Sequence, residues 1–155
     1  MTGILKKIQR GSHNRTTYRV GLLQAKAYRV LKRHTMDALT DEGISTVEWA
    51  LLGLLCDNKG GMRAAHLAKE LGVEAPFVTS LLTHLNGMKL TASRGDARDS
   101  RVKIIHLTEQ GTRFVEKTEK HLRAHMKKLL TGIGISDVLS YIVVLEKIIE
   151  NSKEI

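Results

Sequence analysis

Apolar residues recur at three- and four-residue steps along most of this 155-residue sequence, and only Thr91–Arg94 and Val102–Leu107 break that rhythm with short β-compatible runs. A chain patterned this way is mainly α with a small β-hairpin. Val20, Leu23, Ala27, Val30, Leu31 and Ala38 mark a first helix over Tyr18–Ala38. Ser45, with Glu48 three residues later, has capping-box spacing, in which hydroxyl and carboxylate each satisfy an orphan amide. A second helix starts there, carries Val47, Trp49, Leu51, Leu52, Leu54 and Leu55, and stops at Asn58–Gly61. Met62–Leu71 reads as a short helix ended by Gly72, and Glu74 to about Met88 as another, with Pro76 tolerated in its first turn. Strands are expected nowhere outside the hairpin.

Beyond the hairpin, Thr108 is the N-cap candidate for a long helix with Phe114, Val115, Leu122, Met126, Leu129 and Leu130 on one side. Ser136 is the N-cap candidate for a last helix bearing Val138, Leu139, Tyr141, Ile142, Val144, Leu145, Ile148 and Ile149. That face is too wide to leave in water, since each exposed large aliphatic forgoes ~1.5–3 kcal/mol of burial. It requires a partner surface.

The net charge is +9, and its placement matters more than its size: nine lysines and arginines precede the first acidic residue, Asp37, and account for the whole excess. A segment that cannot neutralise itself locally attracts polyanions, nucleic acid above all, although a solvated tail and an exposed helix face would carry the same charges. Residues 1–17 read as a basic arm. No apolar run approaches the ~18 residues of a membrane span and no secretory signal is evident, so a cytoplasmic, non-membrane protein is expected. The single cysteine, Cys56, excludes an internal disulfide framework and paired thiolate ligands for zinc.

The helices flanking Gly72 meet the demands of a helix-turn-helix. Gly72 is free to adopt the positive φ of a tight turn, and Ala68 is small where the second helix would cross. With Val78, Leu81, Leu82 and Leu85 turned inward, the second helix presents Glu74, Ala75, Pro76, Thr79, Ser80, Thr83 and His84 outward, short groups that fit a major groove. The hairpin that follows carries Arg94, Arg98, Arg101 and Lys103 in or beside its loop, a cationic wing able to reach a phosphate backbone or a minor groove. Two helices joined at glycine are common in any α-rich core, and a charged loop is commonly only solvated; the wing's position directly after the helix pair raises the nucleic-acid reading above both.

The stretch Gly95-Asp96-Ala97-Arg98-Asp99-Ser100-Arg101-Val102, followed by Leu107-Thr108-Glu109-Gln110-Gly111, resembles the wing and its sequel in MarR-family (multiple-antibiotic-resistance regulator) proteins, and the element order agrees from about Tyr18 to Ile149. The resemblance implies a winged helix-turn-helix transcriptional regulator, a repressor or dual regulator, acting as a homodimer built from its first and last helices. It implies recognition helices in successive major grooves of a near-palindromic duplex, Arg98 in the minor groove, and Asp96 and Arg101 stabilising the wing. It also implies release from DNA by a small aromatic or phenolic effector, or by oxidants. The corresponding division is 1–17 basic arm, 18–44 first dimerisation helix and connection, 45–110 DNA-binding unit, and 111–155 C-terminal dimerisation helices. Two departures stand out. No Lys or Arg occurs between Lys69 and Lys89, so base contacts would fall to Thr79, Ser80, Thr83 and His84, with Pro76 or Phe77 against thymine methyls and Arg94 beside the wing. Lys89 stands where relatives commonly have glycine.

Cys56 is expected to be buried and inert. His121 and His125 share a helix face without an evident third metal ligand. No phosphate-binding glycine loop and no nucleophile–histidine–carboxylate set can be assembled, so neither catalysis, cofactor nor metal is expected. The competing reading is a winged-helix protein-interaction module with weak or no DNA binding.

Overall fold

The computed structural model describes residues 16–96 and 102–154. Its elements are α1 (Thr16–Thr40), α2 (Thr46–Asp57), β1 (Met62–Arg63), α3 (Ala64–Leu71), α4 (Ala75–Gly87), β2 (Thr91–Gly95), β3 (Lys103–Leu107), α5 (Glu109–Met126) and α6 (Ile135–Asn151), closed by a 3₁₀ turn at Ser152–Glu154. This is the expected mainly α winged helix-turn-helix. Its centre is a core of buried apolar side chains drawn from every element but β2 between the end of α1 and α5: Leu39, Leu51, Leu52, Leu67, Val78, Leu85 and Leu90 are 2% exposed or less.

Helix α1 enters that core only at its C-terminal end, where Ala38 and Leu39 are buried; Tyr18, Val20, Leu23 and Tyr28 lie exposed upstream. The capping box at the start of α2 forms as expected: the Glu48 amide donates to the Ser45 hydroxyl at 3.2 Å, and the Ser45 amide donates to Glu48 Oε2 at 2.7 Å. Gly72 ends α3 in the left-handed region at φ 65°, and Val73 N donates to the Ala68 carbonyl at 3.0 Å, closing the turn that leads into α4.

Three expectations need correction. Met62 and Arg63 are not helical; they form a short strand, Met62 opposite Ile105 and Arg63 opposite Ile104, giving an antiparallel sheet of order β1-β3-β2. Two residues hold no periodicity to read, and their conformation is set by a partner some forty positions away. Gly61, at φ 81°, makes the approach possible, because a Cβ there would lie 2.5 Å from the Ile105 carbonyl oxygen. Helix α5 stops at Met126, so Leu129 and Leu130 lie in the turn region that follows it. The N-cap of α6 is Gly134, not Ser136: the Asp137 carboxylate accepts the Gly134 amide at 3.1 Å, and this reach-back starts the helix two residues earlier. The Thr108 cap stands, its hydroxyl accepting from Gly111 N at 2.9 Å.

Helix α6 has no buried residue. Ile135, Leu139, Ile142, Val144, Ile148 and Ile149 are all exposed, and its Tyr141 hydroxyl donates to Gln24 of α1 at 3.2 Å. Among the described residues no helix is long and apolar enough to cross a membrane.

Candidate nucleic-acid interface

Helix α4 is fixed by Val78, Leu81, Leu82 and Leu85, all buried. That orientation leaves Glu74, Ala75, Pro76, Phe77, Thr79, Ser80, Thr83 and His84 exposed, so every outward residue expected from the sequence faces solvent. The three hydroxyls on this face bend back onto their own helix, Thr79 donating to Ala75 O, Ser80 to Pro76 O and Thr83 to Thr79 O. Their outward lone pairs are left as acceptors.

His84 is tied to the protein interior. Its Nδ1 lies 2.5 Å from Oε1 of Glu48, whose other oxygen takes part in the α2 capping box. Glu48 is 5% exposed. Burial is the largest single influence on its carboxyl and pushes it up, but the Ser45 amide, the His84 imidazole and the Ser45 hydroxyl together outweigh burial and hold it below the ordinary value. The capping signature located Glu48 in the sequence; nothing there signalled its second partner, 36 residues away on another helix.

Arg94 lies exposed on β2, and its guanidinium donates to the Gly60 carbonyl at 3.1 Å, bracing the hairpin on the loop before β1. Asp96 accepts from Arg63 Nη2 at 2.9 Å and donates its amide to Val102 O at 2.8 Å. Sequence reasoning missed Arg63 because it was assigned to a helix; its place on β1 brings it to the root of the wing. Arg98, Asp99 and Arg101 lie outside the described residues, as does the basic arm up to Arg15.

Cys56 is exposed, contrary to the expectation of a buried thiol. Leu51, Leu52 and Leu55 define the inward side of α2, and residue 56 falls beyond it. His121 Nδ1 lies 3.5 Å from Glu42 Oε1, and the His125 ring meets His34 of α1 at 5.7 Å between centroids. Among the described residues no group of three or more His, Cys, Asp or Glu is arranged to hold a metal ion.

A cavity of about 530 Å³ opens where α1, α2 and the end of α5 meet. Trp49, Leu122, Met126 and Leu130 give it apolar walls, and Glu119, Arg123 and Lys127 also line it, Arg123 Nε donating to Glu119 Oε1 at 2.7 Å. Trp49, expected in the core, is half-buried and lines this cavity.

No family model matches the chain. The transcriptional activatory protein BadR of Rhodopseudomonas palustris is 30% identical over 121 residues, 76% of this chain and 69% of that protein. Among solved structures, a MarR-family transcriptional regulator from Rhodococcus sp. RHA1 superposes with a TM-score of 0.76 at 20% identity, covering 88% of this chain and 96% of its own. CouR from Rhodococcus jostii RHA1, crystallised with p-coumaroyl-CoA, gives 0.75 at 22%, covering 83% and 90%. The S. aureus MepR–DNA complex gives 0.68 at 24%, covering 84% and 96%. The proteins similar to this chain are transcriptional regulators.

Proposed function

This chain belongs to the MarR family of transcriptional regulators, and from that premise we propose how it engages DNA: as a homodimer, with α4 of each protomer in a major groove and the β2–β3 wing against the adjoining minor groove. The observation that carries this reading is the outward face of α4. It is a continuous exposed strip of short polar groups, held rigidly by four buried aliphatics and followed directly by a hairpin rich in arginine. Thr79, Ser80, Thr83 and His84 meet base edges, Pro76 and Phe77 meet thymine methyls, and Arg94 and Arg98 supply cations to the backbone and minor groove. Asp96 holds the wing root through Arg63, and Arg101 is the second wing-stabilising residue of this reading. Residues 45–110 form the DNA-binding unit, and 18–44 with 111–155 the dimerising one, because α6 and the upstream part of α1 expose aliphatic surface that a second copy covers. The similarity to a regulator crystallised on DNA supports this docking.

The test is selection of bound duplexes from a random pool. Two related half-sites with centres about one helical turn apart, ~34–36 Å, are expected. Failure to enrich any duplex at moderate salt, together with capture of a protein by the same α4 face, would favour the interaction-module reading.

The cavity lined by Trp49 is the proposed effector site. Apolar walls with Lys127 beside them, Arg123 being paired with Glu119, suit a flat aromatic bearing a carboxylate or phenolate that meets Lys127. Its walls come from both the DNA-binding and the dimerising parts, so occupancy biases the spacing of the two α4 helices, which must match the duplex. Trp49 is the chain's single tryptophan. An aromatic carboxylate that releases DNA should therefore quench its fluorescence, and Lys127→Ala should weaken both responses together.

A further inference from the structure

The Glu48–His84 pair connects the buried start of α2 to the exposed face of α4, and the two carboxylate oxygens of Glu48 have separate partners. Oε2 accepts the Ser45 amide at 2.7 Å and the Ser45 hydroxyl at 2.8 Å; Oε1 faces His84 Nδ1 at 2.5 Å. An ionised carboxylate has no proton to give, so the hydrogen between Oε1 and Nδ1 belongs to the imidazole. A neutral His84 therefore carries its proton on Nδ1 and its lone pair on Nε2. The Glu48 side chain is 7% exposed and that of His84 52%, so the pair runs from interior to surface. Glu48 is the ionic partner of His84 among the described residues, and α4 carries no other ionisable side chain. Nε2 joins the Thr79, Ser80 and Thr83 oxygens, whose hydroxyl protons are directed into the helix.

We propose that Glu48, itself buried away from the DNA-facing surface, is a positioning residue that fixes the Nδ1–H tautomer of His84, so that α4 offers Nε2 as a hydrogen-bond acceptor and selects a base with an exocyclic amino group, adenine N6 or cytosine N4, at one position of each half-site. Those are the donors that a major groove presents. The inference rests on the reading of α4 as the groove-facing helix. It accounts for specificity on a helix without lysine or arginine, and it assigns that specificity in part to a residue that touches no base.

Glu48→Gln is the discriminating variant, because glutamine also serves in a capping box. Its Oε1 takes the place of Oε2 and accepts from Ser45, and its amide nitrogen takes the place of Oε1 and donates to His84 Nδ1. The imidazole proton is thereby moved to Nε2, and the outward nitrogen changes from acceptor to donor. The experiment is nitrogen-15 NMR of histidine-labelled full-length chain in mildly alkaline buffer, with the His84 signal assigned by its loss in His84→Ala. Sequencing of duplexes bound by each form accompanies it. The wild type is expected to show the Nδ1–H tautomer and Glu48→Gln the Nε2–H tautomer. Adenine or cytosine should be enriched about two- to tenfold at one half-site position by the wild type. Glu48→Gln should shift that position toward guanine or thymine, and His84→Ala should lose the preference there alone.

A wild-type Nε2–H tautomer overturns the proposal without reference to DNA, as does an unchanged tautomer in folded Glu48→Gln. Tautomers as expected with base preferences unmoved overturn the role in specificity while leaving DNA binding intact. Wild-type chain that binds no duplex overturns the reading of α4 on which the proposal rests. Should Glu48→Gln fail to fold, the wild-type tautomer and the His84→Ala base profile still decide the matter.

Discussion

Lys89 holds φ at 60°, in the left-handed region, between the end of α4 and the first residues of the wing. Its carbonyl accepts the Thr108 hydroxyl at 2.7 Å and its amide donates to Asn86 O at 2.9 Å, so the surroundings fix a conformation that a side chain with a Cβ resists. Lys89→Gly should raise stability by about 1 kcal/mol, read as a higher denaturant midpoint at unchanged slope; a fall would mean that the lysine side chain contributes more than its backbone costs. The substitution of lysine for the usual glycine is visible in the sequence, whereas its dihedral angle is not. The opposite holds at Gly111, where the motif names the residue and the structure supplies the reason: a Cβ would lie 2.0 Å from the Leu90 carbonyl oxygen. Glu48 adds a pH dependence. Its carboxyl is lowered from 4.5 in the folded chain, so the stabilisation it gives is complete above that value and is lost as pH falls through the lower folded value. Wild type and Glu48→Gln should therefore differ in stability at neutral pH and converge in acid, and a gap that persists at the lowest pH would disprove the linkage.

Elements built by local signals are legible in the sequence: the capping box of α2, the Gly72 turn, the inward face of α4 and the Thr108 cap each rest on residues within one or two turns of each other. Elements defined by distant partners are not. β1 exists because β3 passes beside it; the start of α6 is the local exception, where Asp137 reaches back three residues to the Gly134 amide and sets the cap two positions ahead of Ser136. The site divides the same way. The exposed strip on α4 follows from helix periodicity, but the His84–Glu48 and Arg63–Asp96 links depend on how separate elements meet. At this scale α4 and the wing should have different jobs. Thr79→Ala and Ser80→Ala should change the ranking of duplexes by about 0.5–1.5 kcal/mol at single positions. Arg98→Ala should weaken binding to all duplexes alike and reduce the salt dependence by about one counterion. Parallel losses across all sequences for the three variants would refute this division.

For the whole molecule, the proposed dimer makes α6 the element that sets the balance between one protomer and two. A helix of 17 residues with no buried side chain and at least six exposed large aliphatics gains little from its own protomer beyond the Tyr141–Gln24 hydrogen bond. Covering those side chains at ~1.5–3 kcal/mol each is ample to hold a dimer even after association entropy is met. Ile142, 43% exposed on the middle of this helix, is the sensitive position. Ile142→Asp would place a charge in the proposed seam, where desolvation without a partner is unfavourable by several kcal/mol. Sedimentation should then show a monomer with the α2–β3 core intact, since no core residue touched by the change lies in α6. A monomer engages one half-site, so it releases roughly half the counterions, and the slope of log affinity against log salt should fall by about half while single half-site binding persists. A variant that stays dimeric, or a monomer that keeps the full slope, would mean that the two reading helices are joined through some other surface.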